Sequence, residues 1–143
     1  MSTAKKIEKT LQDALIALLD ADAYIIANDL PVRAWYETGE NLAEYQVLVH
    51  SNPATPSLAT ESGEAAEWRV QIDLVAYTYT TSTETQGAST VYEYLFGFAL
   101  ALTSAAIASA SGLTITGKWM VDNAEAFDER FRGKVASFEV YAS

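Results

Sequence analysis

From Glu67 to Thr80 apolar and polar side chains alternate, with Trp68, Val70, Ile72, Leu74 and Ala76 on one side of an extended chain. Arg69, Gln71, Asp73, Val75, Tyr77 and Tyr79 fall on the other side, because successive side chains of a strand point to opposite faces. The spacing predicts a strand with one dry face and one face turned to solvent or to a neighbouring copy. About 13 extended residues reach roughly 40 Å, about twice the common strand length. This stretch is the spine around which the rest of the chain is expected to pack.

The pattern before the spine changes period. Ile7, Leu11, Ala14, Leu15 and Leu18 form one apolar stripe at helical spacing, which predicts a helix over 3–19 with Thr3 as its cap. Lys5, Lys6 and Lys9 lie in its first turns, where positive charge opposes the helix dipole. Tyr24-Ile25-Ile26 fits either a continuation of that helix or a short strand. Leu30–Tyr36 and Tyr45–His50 read as strands separated by a turn at Glu37–Asn41, with Pro31 marking an edge. Ser51–Ala66 carries Pro53, Pro56 and Gly63 among small polar residues. It reads as a long mobile loop that reaches away from the fold.

Beyond the spine, Glu84–Thr103 shows a helical stripe of Val91, Leu95, Phe98 and Leu102, with Phe96 off the stripe. Ala105–Gly112 reads as a small-residue linker, and Leu113–Thr116 as a short strand that resumes at Trp119–Val121 after a bulge. Asn123–Gly133 reads as a charged turn or short helical excursion, and Val135–Ala142 as a final strand. The order α-β-β-β-α-β-β predicts one α+β domain: a mostly antiparallel sheet of about five strands with two long helices on one face.

Composition narrows the chemistry. At 143 residues, half of them hydrophobic, the chain can bury a core of its own. With no cysteine and one histidine, His50, thiolate and multi-histidine metal sites are excluded. Met1–Glu8 runs into a charged amphipathic pattern and reads as no secretion signal, and no apolar run has the ~18 residues that span a bilayer. The formal charge is −10. Between Asp20 and Glu67 nine acidic residues face Arg33 alone, a field that repels phosphate backbones and disfavours specific nucleic-acid binding.

Catalytic patterns are sparse. His50 has no nucleophile elbow near it in sequence and reads as an ordinary strand-end side chain. The carboxylate pairs Asp20/Asp22 and Asp128/Glu129 lack the spacing of a calcium loop, and the seven glycines form no phosphate-cradling run. Arg130-Phe131-Arg132-Gly133-Lys134 is an isolated basic cluster, suited to phosphate or to an acidic neighbouring subunit.

Several of these elements together resemble the tail terminator proteins of long-tailed bacteriophages and the related minor tail and neck ring proteins. The shared features are the amphipathic helix to Leu19, the strand pair ending in Tyr45–His50 and the long polar segment after it. They continue with the Trp68–Ala76 spine, the Val91–Leu102 helix and a terminal strand after Phe131-Arg132-Gly133-Lys134. The resemblance implies a virion tail or neck protein assembled in the host cytoplasm. It implies a homohexameric ring that caps the tail tube and offers the surface joined by the head-completion or connector protein. DNA would pass through without specific binding, and neither membrane, cofactor nor enzymatic step is implied.

On that reading Trp35, Tyr36, Glu61, Glu64, Tyr77, Tyr79, Arg130 and Arg132 are expected at subunit or tube contacts. Asp20, Asp22, Asp29, Glu37, Glu40 and Glu44 are expected to line an acidic lumen. Competing readings are a head-completion or connector protein of the same neck, an acidic inhibitor that mimics DNA, and a small enzyme using a carboxylate pair.

Overall fold

The computed structural model describes residues 3–36, 45–78, 84–121, 127–128 and 133–143. Its central element is the anticipated spine, β4 (Ala65–Thr78). Val70, Ile72, Leu74 and Ala76 are all buried on one face and Trp68 packs against the same core. Around it lie β1 (Val32–Ala34), β2 (Tyr45–Ser51), β3 (Thr55–Ala59), β5 (Ile115–Met120), β6 (Phe127–Asp128) and β7 (Gly133–Ala142). The sheet order is β1-β2-β4-β7-β5, with β3 also on β4 and β6 on β7. All pairings except β1–β2 are antiparallel, so the α+β class expected from the pattern holds.

Both long helices cover the oily face. In α1 (Ala4–Asp20) Ile7, Leu11, Ala14 and Leu15 of the expected stripe are buried, Leu19 rather than the partly buried Leu18 completes it, and Thr3 caps the helix by accepting from the Lys6 amide at 3.3 Å. In α3 (Glu84–Ala101) Val91, Tyr92, Leu95 and Ala99 join the same cluster, with Phe98 and Leu102 partly buried beside it. Burying each such aliphatic side chain contributes about 1.5–3 kcal/mol, so this layer holds the sheet flat against the helices.

Five expectations need correction. Tyr24–Ile26 belongs to a separate short helix, α2 (Ala23–Ala27), started by Asp22, whose carboxylate accepts from the Tyr24 and Ile25 amides at 3.1 and 3.2 Å. The segment read as a linker is a helix, α4 (Ser104–Ser111). Thr103 caps it by accepting from the Ala106 amide, Gly112 ends it at φ 73°, and it is bent 91° from α3. Alanine is the strongest helix former and occupies positions 105, 106, 108 and 110, and Ile107 anchors this helix in the core. Third, β1 pairs with β2 in parallel, Val32 opposite Val47, rather than as a hairpin.

Fourth, 51–66 is not structureless. β3 pairs antiparallel with the first half of β4 from Thr55↔Arg69 to Ala59↔Ala65, and 60–64 forms the turn between them. β2 and β3 thus run consecutively along one edge of β4. Fifth, the second face of the spine is not all wet: Asp73 and Val75 are buried there, with Leu48, Gln46 and Ser137 from neighbouring strands. Near the C-terminal end the expected irregularity and the expected alternation are both present, although β5 is one strand through Gly117 and Lys118 rather than Leu113–Thr116 resumed at Trp119–Val121. β5 pairs with β7 through an irregularity between Ile115 and Gly117, and β7 alternates Ala136, Phe138 and Val140 inward to the helices. The excursion expected at 123–133 contains β6, and its other residues before Gly133 lie outside the described ones.

Candidate functional site

The densest polar cluster sits on the second face of the sheet. His50, Asp73 and Ser137 are lateral neighbours on β2, β4 and β7, His50 opposite Asp73 and Asp73 opposite Ser137. One carboxylate oxygen of Asp73 accepts from the Ser137 hydroxyl at 2.6 Å and from Gln71 Nε2 at 3.0 Å. The other accepts from Asn52 Nδ2 at 2.8 Å and faces His50 Nδ1 at 3.4 Å. Trp35 packs edge-on against the His50 ring at 4.9 Å. Burial works against ionisation of Asp73, yet the hydrogen bonds from His50, Ser137, Gln71 and Asn52 hold its carboxyl below the usual aspartate range.

Serine, histidine and aspartate together invite comparison with a hydrolytic triad, and the geometry does not fit one. A triad puts the imidazole between hydroxyl and carboxylate, so that the base touches the nucleophile. Here the carboxylate is in the middle, and its two oxygens bind serine and histidine separately. An ionised carboxylate receiving this many donors is a weak base. The cluster pins three strands together.

Beside it, Asn52, Thr55, Arg69, Gln71 and Glu139 line a polar cleft of about 200 Å³. Trp119 and Tyr141 continue the same face, their rings 4.7 Å apart. Among the described residues no group of three metal-ligating side chains of the His, Cys, Asp or Glu type comes together.

The helical layer carries a larger and drier cavity of about 510 Å³, within the usual size range of ligand pockets. Gly97, Phe98, Ala101, Leu102 and Ala106 give it apolar walls, and Asp22 and Glu93 add two carboxylates. The phenol of Tyr94 donates to Asp22 at 2.5 Å, while its ring stacks on Tyr24 at 3.9 Å. Burial first, then the hydrogen bond and charge of Asp22, push this phenol up to about 12. Gly97 leaves open space where a Cβ would stand. Next to the cavity the outer side of α3 shows Phe96 and Leu100, 40% and 60% exposed. At the other side of that helix the Lys118 ammonium donates to the Ala99 carbonyl oxygen, and burial lowers its pKa.

The residues anticipated as contacts scatter over the fold. Trp35 and Tyr36 are exposed and meet edge to face at 6.0 Å. Glu61 and Glu64 stand in solvent in the β3–β4 turn. Tyr77 is half-buried and packs against Leu48 and Val75 on the second face. Tyr79, Arg130 and Arg132 lie outside the described residues.

Of the acidic set, Asp20 is exposed at the end of α1, and Asp22 is engaged as a helix cap and by Tyr94. Asp29 follows α2 in the left-handed region at φ 50°. Glu37, Glu40 and Glu44 lie outside the described residues. Of the pairs considered for acid–base work, Asp22 is thus committed to backbone amides, and Glu129 lies outside the described residues. The Asp73 cluster and the helical cavity were not singled out from sequence. An aspartate in the middle of a long strand was the one sign of the first in the sequence; its pairing with Ser137 comes from the register.

No protein family model, no curated protein and no solved structure matches the chain.

Proposed function

We propose that this protein acts by assembly, as a tail terminator-like ring subunit of a long-tailed bacteriophage that closes the tail tube and presents the joining surface to the head. The observation that carries the assembly reading is the β3–β4 hairpin. Every residue from Thr55 to Glu64 is exposed, including Leu58 at 59%, so this stretch adds no fully buried side chain to the core of its own subunit. An exposed hairpin arm at the edge of the sheet favours contact with another chain, where its apolar side chain and edge gain partners. The exposed Trp35, Tyr36, Phe96, Leu100 and Trp119 add further apolar contact area away from the arm. The net charge of −10 suits a conduit past which DNA slides without adhering.

Mass measurement across a concentration series, with negative-stain electron microscopy, tests this. Closed rings, six-membered by the family resemblance, are the expected result. A strictly monomeric protein at the highest concentration reached would overturn the assembly reading. Replacing Leu58–Ala66 by an Asn-Gly turn isolates the arm. The ring should persist while tube capping is lost, and unimpaired capping by that variant would remove the arm from the mechanism.

A further inference from the structure

We infer that the cavity on the helical layer receives the lysine side chains at the start of α1 from a second copy of this chain, making a head-to-tail contact. The inference rests on the assembly reading and names the surface through which it works.

The two halves of the contact lie at opposite ends of one helix. α1 spans 17 residues, about 25 Å at 1.5 Å per residue. Its first turn carries Lys5 and Lys6, both exposed, and their ammonium groups have no partner among the described residues. No acidic residue stands in that turn, so both cations oppose the helix dipole, and the next acid along the helix, Glu8, accepts from the Ala54 amide at 2.9 Å. The far end of α1 runs through Asp20 to Asp22, one of the two carboxylates of the cavity. Asp22 uses a single oxygen for the Tyr24 and Ile25 amides and the Tyr94 phenol, leaving its other oxygen without a partner among the described residues. Glu93 likewise has no cation among them.

The chemistry of the walls matches the chemistry of the guest. A lysine is an apolar four-carbon stem with an ammonium at its tip. Gly97, Phe98, Ala101 and Ala106 accept the stem, and Asp22 and Glu93 accept the charge. The open space at Gly97 lets a side chain from outside lie directly on the backbone of α3. Within one molecule the length of α1 separates lysines from cavity, so the pairing is met only between copies. Such a contact is heterologous, and repeated with a closing rotation it generates a ring.

The test combines zero-length carbodiimide cross-linking with charge exchange, using the full chain. A mixture of light and ¹⁵N-labelled protein is cross-linked and digested. Mixed-isotope peptides joining Lys5 or Lys6 to Asp22 or Glu93 are expected. In parallel, Lys5→Glu/Lys6→Glu and Glu93→Lys should each raise the dissociation constant of assembly by about tenfold or more, since like charges then face each other. Combining the three substitutions should recover most of the loss. If wild-type protein forms rings but gives no such peptides, and the variants assemble as wild type does, the interface is elsewhere and the assembly reading stands. If wild-type protein remains monomeric throughout, both fail. Should a variant not fold, the wild-type cross-link map decides alone.

Discussion

Replacing Asp73 with asparagine removes the charge that joins β2, β4 and β7 while keeping the side chain's shape. The magnitude follows from who loses a partner. The Ser137 hydroxyl is buried and donates at 2.6 Å to a carboxylate. Hydrogen bonds to charged groups contribute about 1.5–3 kcal/mol, and a buried donor left without an acceptor costs about 1–3 kcal/mol. Asn52 and Gln71 are only half-buried, so water replaces part of what they lose. An asparagine NH₂ also has to face either the donors Asn52 and His50 or the donor Gln71. The sum is a loss of about 2–4 kcal/mol at neutral pH.

Urea unfolding followed by tryptophan fluorescence reads this as a lower midpoint at unchanged slope. In a double-mutant cycle with Ser137→Ala, the coupling should be about 1–2 kcal/mol. The pH dependence has a definite sign. The folded carboxyl titrates below its ordinary value of 3.8, so its contribution is complete above the unfolded pKa and is lost as pH falls through the folded one. Wild-type protein should therefore lose stability below about pH 4 more steeply than Asp73→Asn does. A variant within about 0.5 kcal/mol of wild type, or an identical acid profile, would show that the cluster holds nothing together.

Three further perturbations separate the layers of the fold. Ile72→Asp places an unpaired charge in the helix-facing core, where Ile72 is fully buried; a loss of several kcal/mol, or failure to fold by circular dichroism, is expected. A Cβ on Gly133 would lie 2.2 Å from the Ala76 carbonyl oxygen, so Gly133→Ala should cost about 2 kcal/mol or more by urea unfolding. Gly112→Ala, at φ 73° in open space, should cost only about 1 kcal/mol. Ultraviolet titration should show the Tyr94 phenol ionising near pH 12, and Tyr94→Phe should reduce that late step by one phenol. Because this phenol's folded pKa is raised, its share of stability is present below the unfolded value of about 10 and disappears as pH rises through 12.

The parts of the fold legible in the sequence are those where one periodicity acts alone. The β4 alternation and the Ile7–Leu15 stripe each specify an element and the face it buries. Period two says which residues share a face but not whether that face is covered, so the burial of Asp73 and Val75 was invisible until β2 and β7 stood beside them. β3 has Thr55, Pro56 and Ser57 and no alternation; its strand geometry comes from pairing to β4. In α4 the caps Thr103 and Gly112 were present in the sequence, but Ala- and Ser-rich composition masked them. The helical cavity needs the 91° bend between α3 and α4 and the contact of Asp22 with Tyr94, residues 72 positions apart. Neither is written in local spacing.

The consecutive seating of β2 and β3 along one edge of β4 has a mechanical consequence. The strand that forms half of the exposed hairpin is the same unbroken strand that pairs with β7 over the register Trp68↔Ala142 to Tyr77↔Gly133. Tension applied at the tip along the strand direction therefore loads that entire ladder in shear, its rungs strained simultaneously instead of peeling one after another. A tether built this way hands its pull straight to the middle of the sheet, with no flexible joint to give way first.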